Sequence, residues 1–301
     1  MSETLAALAG TPDGAVLAAI LALVSALAHA VFGALQKGAH DPWLTRGSID
    51  ASLALISAPV AFFLVTWPTY ETMLILLGAL VIHFLYKLAM ALAYERAAYT
   101  VVYPVVRGTG PIVTVAFASL VFREHFTGLQ WLGVLCLSGG ILALALRNLK
   151  EEELDRHRMI LGISWALTGG LLVAIYTTWD AWGIRQSPNP FTFLAWFFFI
   201  TSLDFPLIAY FRYRRDPAPP RAGPLLLRGF IGAWIAWVSF GGVMLATYLD
   251  KVGEAAVLRE TSTVFAALIG WFVLGEKVGP RRLVMMCFIA AGAVIVEFGG
   301  R

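Results

Sequence analysis

An all-α membrane protein of ten transmembrane helices, arranged as two inverted-topology five-helix repeats around a central cavity, is the fold class this sequence predicts. Three observations predict it. Of 301 residues, 59% are hydrophobic and only 14% charged, against about half and about a quarter in soluble domains. The apolar residues gather into runs of about 20, each long enough to cross a hydrocarbon core about 30 Å thick. The charged segment RNLKEEELDRHR, Arg147 to Arg158, divides these runs evenly.

The first run, about 15 to 37, reads as a spanning helix rather than a cleaved leader. Met1 to Gly14 carries Glu3 and Asp13 but no Lys or Arg, and the apolar stretch continues to Leu35. Four more spans follow at about 49–66, 72–94, 99–122 and 127–146, then five at about 159–184, 191–211, 225–249, 255–274 and 281–298. Between them stand GAHDPW, TWPTYE, FREHF, QSPNP, DPAPPRAGP and GEKVGP, rich in residues that stop helices and make turns. Runs this long exceed the ~10-residue strands of a membrane barrel, so helices are expected.

The two halves, 1–150 and 151–301 with the linker at about 147–158 between them, align with each other. FREHFTGLQWLGVLCLSGGILAL lies over LGEKVGPRRLVMMCFIAAGAVIV at a constant offset that pairs Glu124 with Glu276, Gly140 with Gly292 and Arg107 with Arg259. An odd number of spans per half makes the repeats enter the membrane from opposite sides, which places a binding site near the midplane between them. Lys and Arg concentrate on the linker side, which the positive-inside rule assigns to the cytoplasm, with both termini outside.

Several functions are excluded or unsupported. A dispersed net charge of +3 offers no basic face for nucleic acid. Cys136 and Cys287 lie inside apolar runs without a second Cys nearby, so no metal pair is expected. Neither H-E-x-x-H nor G-x-S-x-G occurs, so no enzyme activity and no cofactor are expected.

The informative residues are the charges inside the spans, since each costs at least ~2.5 to 3.5 kcal/mol on insertion scales and needs a cavity or a partner. Tyr103, Arg107, Pro111 and Thr114 recur on one helical face. Gly108, Gly110 and Pro111 weaken that helix, and Pro111 deprives the Arg107 carbonyl of its usual donor. Arg259 begins a matching stripe with Ser262 or Thr263. On facing broken helices the two guanidinium groups would clamp a carboxylate, phosphonate or phosphate. The third span adds His83, Lys87, Met90 and Tyr94, the eighth Trp234, Trp237, Met244 and Tyr248, the sixth Tyr176, Trp179 and Asp180, and the first His29.

Alternatives stand beside these readings. Arg107 or Arg259 would equally hold the halves together by pairing with Glu95, Glu260 or Asp180. Trp234 and Trp237 would serve as interfacial anchors, and His29 as a packed hydrogen-bonding group. Glu124 and Glu276 would cap or fasten the short hairpins.

The segments AYERAAYTVVYPVVRGTGPIVTVAFASLVFREHFTGLQWLGVLCLSGGILAL and TYLDKVGEAAVLRETSTVFAALIGWFVLGEKVGPRRLVMMCFIAAGAVIV resemble the two units of EamA-type members of the drug/metabolite transporter superfamily. The resemblance implies ten helices around a central cavity, alternating access without ATP, and both termini in the cytoplasm, opposite to the charge count. It names no cargo, because members move amino acids, nucleotide sugars, phosphate esters, carboxylates and drugs. Two departures from the family pattern are the REH of the first hairpin, where GE is usual, and the paired arginines.

The expected function is a multi-pass secondary transporter, located in a bacterial inner membrane, for a small organic anion. Arg107, Arg259, Lys87, His83, Tyr94, Tyr103, Trp237, Tyr176 and Trp179 are the expected cargo ligands. Asp180, Glu260 and His29 are the expected coupling groups. The partners are the cargo, the lipid bilayer and protons or another counter-transported ion. The alternatives are an exporter of amino acids or cationic drugs bound by acidic residues, and a structural or sensory subunit that transports nothing.

Overall fold

The computed structural model describes residues 2–36, 41–97, 99–150, 156–272 and 280–300, and every regular element among them is helical. In chain order these are α1 (Ser2–Leu8), α2 (Pro12–Gln36), α3 (Pro42–Pro59) continued by a π-helical turn (Val60–Leu64), α4 (Tyr70–Tyr94), α5 (Tyr99–Val121), α6 (Gly128–Lys150) and α7 (Arg156–Gln186). There follow α8 (Pro190–Ile200), α9 (Phe205–Arg215), α10 (Ala222–Leu249), α11 (Val252–Arg259), α12 (Ser262–Phe272) and α13 (Pro280–Phe298). Among the described residues 7 stretches are long and apolar enough to cross a membrane, and Gly128–Ala143 and Leu283–Phe298 are shorter apolar helices. Glu276, singled out above, lies outside the described residues.

Local chemistry sets the helix starts. Asp41 caps α3 by accepting from the backbone N–H of Trp43 and Leu44, with Pro42 as the first helical residue; Asn189 and Pro190 repeat the arrangement at α8. Thr69 caps α4 through the N–H of Thr72, with Glu71 in the first turn. The start at Pro42 corrects the expected boundary near 49, because the cap and proline outweigh the polar composition of the first turns.

Packing follows a membrane pattern. On α2, Ala18, Ala22, Ala26 and Ala30 are buried at four-residue spacing, whereas Val16, Ile20, Leu23, Leu27 and Val31 are exposed. Small side chains face protein and large ones face lipid, because without a hydrophobic drive between helices close backbone approach supplies the attraction. Against this alanine face lies α10, where Ser25 Oγ donates to the Ser239 carbonyl at 2.5 Å and Ser239 Oγ donates back to the Ser25 carbonyl at 3.2 Å. A close backbone approach joins α6 to α13: a Cβ on Gly292 would lie 2.5 Å from the Gly133 carbonyl oxygen.

Two stretches read as single spans are interrupted. α8 and α9 are separated by Thr201–Asp204, and α11 and α12 by Glu260–Thr261. At the second interruption Thr261 N–H bonds to the Leu258 carbonyl and Val264 N–H to the Thr261 carbonyl, one residue tighter than α-helical spacing. The expected weakening of the fourth span is not matched, since α5 runs unbroken through Pro104 and Pro111. Of the two arginine-bearing helices, only the later one is broken.

Candidate functional site

Arg107 on α5 and Arg259 at the end of α11 are both buried, 5% and 4% exposed, so neither escapes to water. Arg107 Nη1 donates to Glu260 Oε1 at 2.7 Å, and its guanidinium lies 5.4 Å from the centre of the Tyr103 ring. Arg259 lies 4.5 Å over the Phe240 ring. His29 stacks on Tyr103 at 6.4 Å and meets Phe240 edge-on at 6.3 Å. Residues of α2, α5, α10 and the α11–α12 break therefore form one connected centre.

Its chemistry is unbalanced in an informative way. Arg259 Nε and Nη2, Glu260 Oε2, Ser262 Oγ and Thr263 Oγ1 are buried with no hydrogen-bond partner; these are five of the thirteen such atoms among the described residues. Buried polar atoms are nearly always satisfied, so a cluster of exceptions on one turn asks for a missing partner. Arg259 and Glu260 line a small cavity with Gly110, Pro111, Thr114, Val173, Thr177, Val243 and Ala256. Its volume of about 10 Å³ suffices for about one water molecule and not for an organic solute.

Beside this centre, His83 Nε2 and Asp180 Oδ2 stand 2.8 Å apart, joining α4 to α7. The His83 ring packs 4.6 Å from Tyr176, whose ring in turn meets Tyr86 at 5.1 Å. Asp180 Oδ1 is buried without a hydrogen-bond partner.

Lys87, expected among the cargo ligands, has a different setting. Its ammonium donates to Asp50 at 2.9 Å, to Asp204 at 2.5 Å and to the Thr201 carbonyl at 2.6 Å. All three donors are used. Arg46 completes the group at 2.8 Å from Asp50. This network ties α3 and α4 to the interruption between α8 and α9, with Asp204 also capping α9. It fixes a break in a helix instead of presenting a cation to a cavity.

The expected aromatic ligands also divide. Tyr103 and Tyr176 belong to the two centres above. Trp237 Nε1 donates to Ser57 Oγ at 3.0 Å while its ring stacks on Phe198 at 4.7 Å. Trp179 Nε1 donates to the Ile75 carbonyl at 2.9 Å, over Gly78. Both indoles are thus spent on helix packing. Tyr94 is half-buried and packs against the core that holds Val102 and Ala166. The residue missed in the sequence is Phe240, one turn beyond Trp237.

On the side of the bundle away from the linker, Glu124 of the α5–α6 hairpin accepts from the backbone N–H of Val252 at 2.7 Å and of Gly253 at 3.1 Å. These are orphan donors of the first turn of α11, so a hairpin carboxylate of the first half caps the helix that carries Arg259. Burial raises the Glu124 carboxyl above its ordinary value, partly offset by the two N–H donors.

Comparison with known proteins adds three findings. A crystal structure of a protein with 15% identity superposes with a TM-score of 0.75, covering 93% of this chain and 98% of the other, which is a likeness of fold. No curated protein matches the chain. The model of the EamA-like transporter family matches residues 160–298, from within α7 to the end of α13. With its apolar helices and buried intramembrane charges, the chain is a multi-pass integral membrane protein whose residues 160–298 match the EamA-like transporter family.

Proposed function

We propose that the protein is a secondary transporter that moves a small organic anion by alternating access, in a ten-span assembly of two inverted repeats. The observation that carries this reading is Arg259: a buried guanidinium beside a cavity, with two N–H groups lacking any protein acceptor. A scaffold gains nothing from that arrangement, whereas an anionic cargo would satisfy it. Arg107 positions Glu260 and adds positive potential, and Tyr103, Phe240 and His29 supply the walls. His83 and Asp180 form the coupling pair, since they stand 2.8 Å apart in the interior and Asp180 keeps one oxygen free of hydrogen bonds.

The water-sized cavity supports an occluded conformation between two access states. The cargo then enters only after helices part on one side. In proteoliposomes, Arg259→Gln is expected to lower anion affinity at least tenfold while the protein stays folded. Unchanged binding would remove the anion site from the proposal.

A second reading is favoured by one observation, the unsatisfied oxygens Glu260 Oε2 and Asp180 Oδ1. Under it the cargo carries a cationic group, as an amino acid or amphipathic drug does, and the acidic residues bind it. Organic cations without a carboxylate compete for the site in this case and are ignored in the first.

A further inference from the structure

The two unsatisfied atoms of Arg259, Nε and Nη2, are not an arbitrary pair. They lie on the same edge of the guanidinium plane, the edge whose parallel N–H bonds meet the two oxygens of a planar carboxylate. The remaining edge is not needed for such a bond. The Phe240 ring, 4.5 Å away, supports the flat face of the group and so restrains the direction of the fork. The edge is buried and belongs to a residue that lines the cavity.

Charge then narrows the ligand. Arg107 and Arg259 bring two positive charges, and Glu260, bonded to Arg107 at 2.7 Å, brings one negative charge. Among these three groups one unit of positive charge is left uncompensated, since the nearby Asp180 is paired with His83 at 2.8 Å. A carboxylate cancels it. A phosphate monoester, at about −1.5 to −2 near neutral pH, would leave a buried negative excess facing Glu260. Uncompensated buried charge is what such a site most disfavours. The rest of the lining matches a compact, mainly apolar body, with Pro111, Val173, Val243 and Ala256 against the two hydroxyls of Thr114 and Thr177.

We infer that the cargo of this centre is a monocarboxylate, taken side-on by the Nε/Nη2 edge of Arg259, and that Glu260 sets the limit of one negative charge. The inference rests on the anion-transport reading and goes beyond it by choosing among carboxylate, phosphonate and phosphate.

The test uses the full-length protein in nanodiscs at neutral pH with matched probes: propionate and benzoate, methyl phosphate and phenyl phosphate, and phenethylamine. Benzoate is expected to bind at least tenfold more tightly than phenyl phosphate, and propionate more tightly than methyl phosphate. Glu260→Gln, which keeps an acceptor for Arg107 but adds one unit of positive charge, is expected to shrink the benzoate preference at least threefold. Arg259→Lys, which keeps the charge but loses the fork, is expected to weaken benzoate at least tenfold.

Equal or tighter binding of phenyl phosphate by the unaltered protein overturns the one-charge inference and leaves anion transport standing. Binding of phenethylamine with no binding of any anion overturns anion transport itself. The probe ranking needs no variant, so misfolding of a variant does not rescue the inference.

Discussion

Arg107 and Glu260 stand 153 positions apart in sequence and 2.7 Å apart in space, one on α5 and the other in the break between α11 and α12. This single bond joins the two halves of the chain at the depth where Arg259 keeps two donors unsatisfied. It also separates the roles of two arginines that look equivalent in the sequence. One is held by a carboxylate, and the other is open on one edge.

The pair gives a first prediction about stability. Removing one member leaves the other as a buried, unpaired charge, so Arg107→Met and Glu260→Leu should each cost about 3 to 5 kcal/mol. The double variant should cost clearly less than the sum, because no orphan charge remains. Chemical unfolding in detergent, analysed as a double-mutant cycle, measures the difference. Simple additivity would show that the bond is not formed in the membrane-embedded protein.

Lys87 gives the second. Its ammonium satisfies Asp50, Asp204 and the Thr201 carbonyl at the α8–α9 interruption. Lys87→Met should therefore destabilise the protein by about 3 kcal/mol or more, since Asp204 loses its counter-charge and Asp50 keeps only Arg46. In the fraction that remains folded, anion affinity should change less than twofold. A large loss of affinity with unchanged melting temperature would return Lys87 to the list of cargo ligands.

What could be read in the sequence and what could not follows a physical line. The start of α8 was legible at QSPNP because the cap and proline act within three residues, whereas the same signals in GAHDPW were outweighed by the polar residues that moved the expected boundary to about 49. The faces holding Arg107 and Arg259 were legible because helical period is a local property. The partner of each charge was not: Glu95, Glu260 and Asp180 were all open to Arg107, and only the register between α5 and the α11–α12 break selects Glu260. Nor was the Lys87 network. Asp50 and Arg46 share a helix at four-residue spacing, but their meeting with Lys87 and Asp204 depends on how three helices pack. The interruption at Thr201–Asp204 was hidden inside FFFITSLDFP, whose apolar composition reads as continuous.

The departure of the first hairpin from the usual GE supplies the third prediction. Arg123, where the family pattern has Gly, adopts a positive φ of 55°. A side chain with a Cβ pays about 1 kcal/mol or more for that backbone region, and glycine does not. Arg123 is solvent-exposed, so little packing is lost with it. Arg123→Gly should accordingly raise stability by about 0.5 to 1 kcal/mol, seen as a higher melting temperature with anion binding unchanged. Destabilisation would mean that the guanidinium makes an interaction worth more than the backbone strain.

The neighbouring Glu124 supplies the fourth, which concerns pH. Burial raises its carboxyl above the ordinary value of 4.5, although the N–H groups of Val252 and Gly253 and the charge of Arg185 pull the other way. For a carboxyl raised on folding, the folded state binds the proton more tightly than the unfolded state. The stabilisation tied to that proton is full below the unfolded value and is lost as pH rises through the raised folded value. Glu124→Gln removes the titration, so the stability of the unaltered protein relative to this variant should fall as pH rises above the ordinary value of 4.5. The cap itself works in the other direction: at neutral pH, Glu124→Ala should cost about 1 kcal/mol through the orphaned donors of α11. Because α11 carries Arg259, that loss should also loosen the anion site, lowering affinity by a few-fold. Stability curves of the three proteins across pH separate the two effects, and a rise in relative stability over that range would show that hydrogen bonding outweighs burial at this carboxyl.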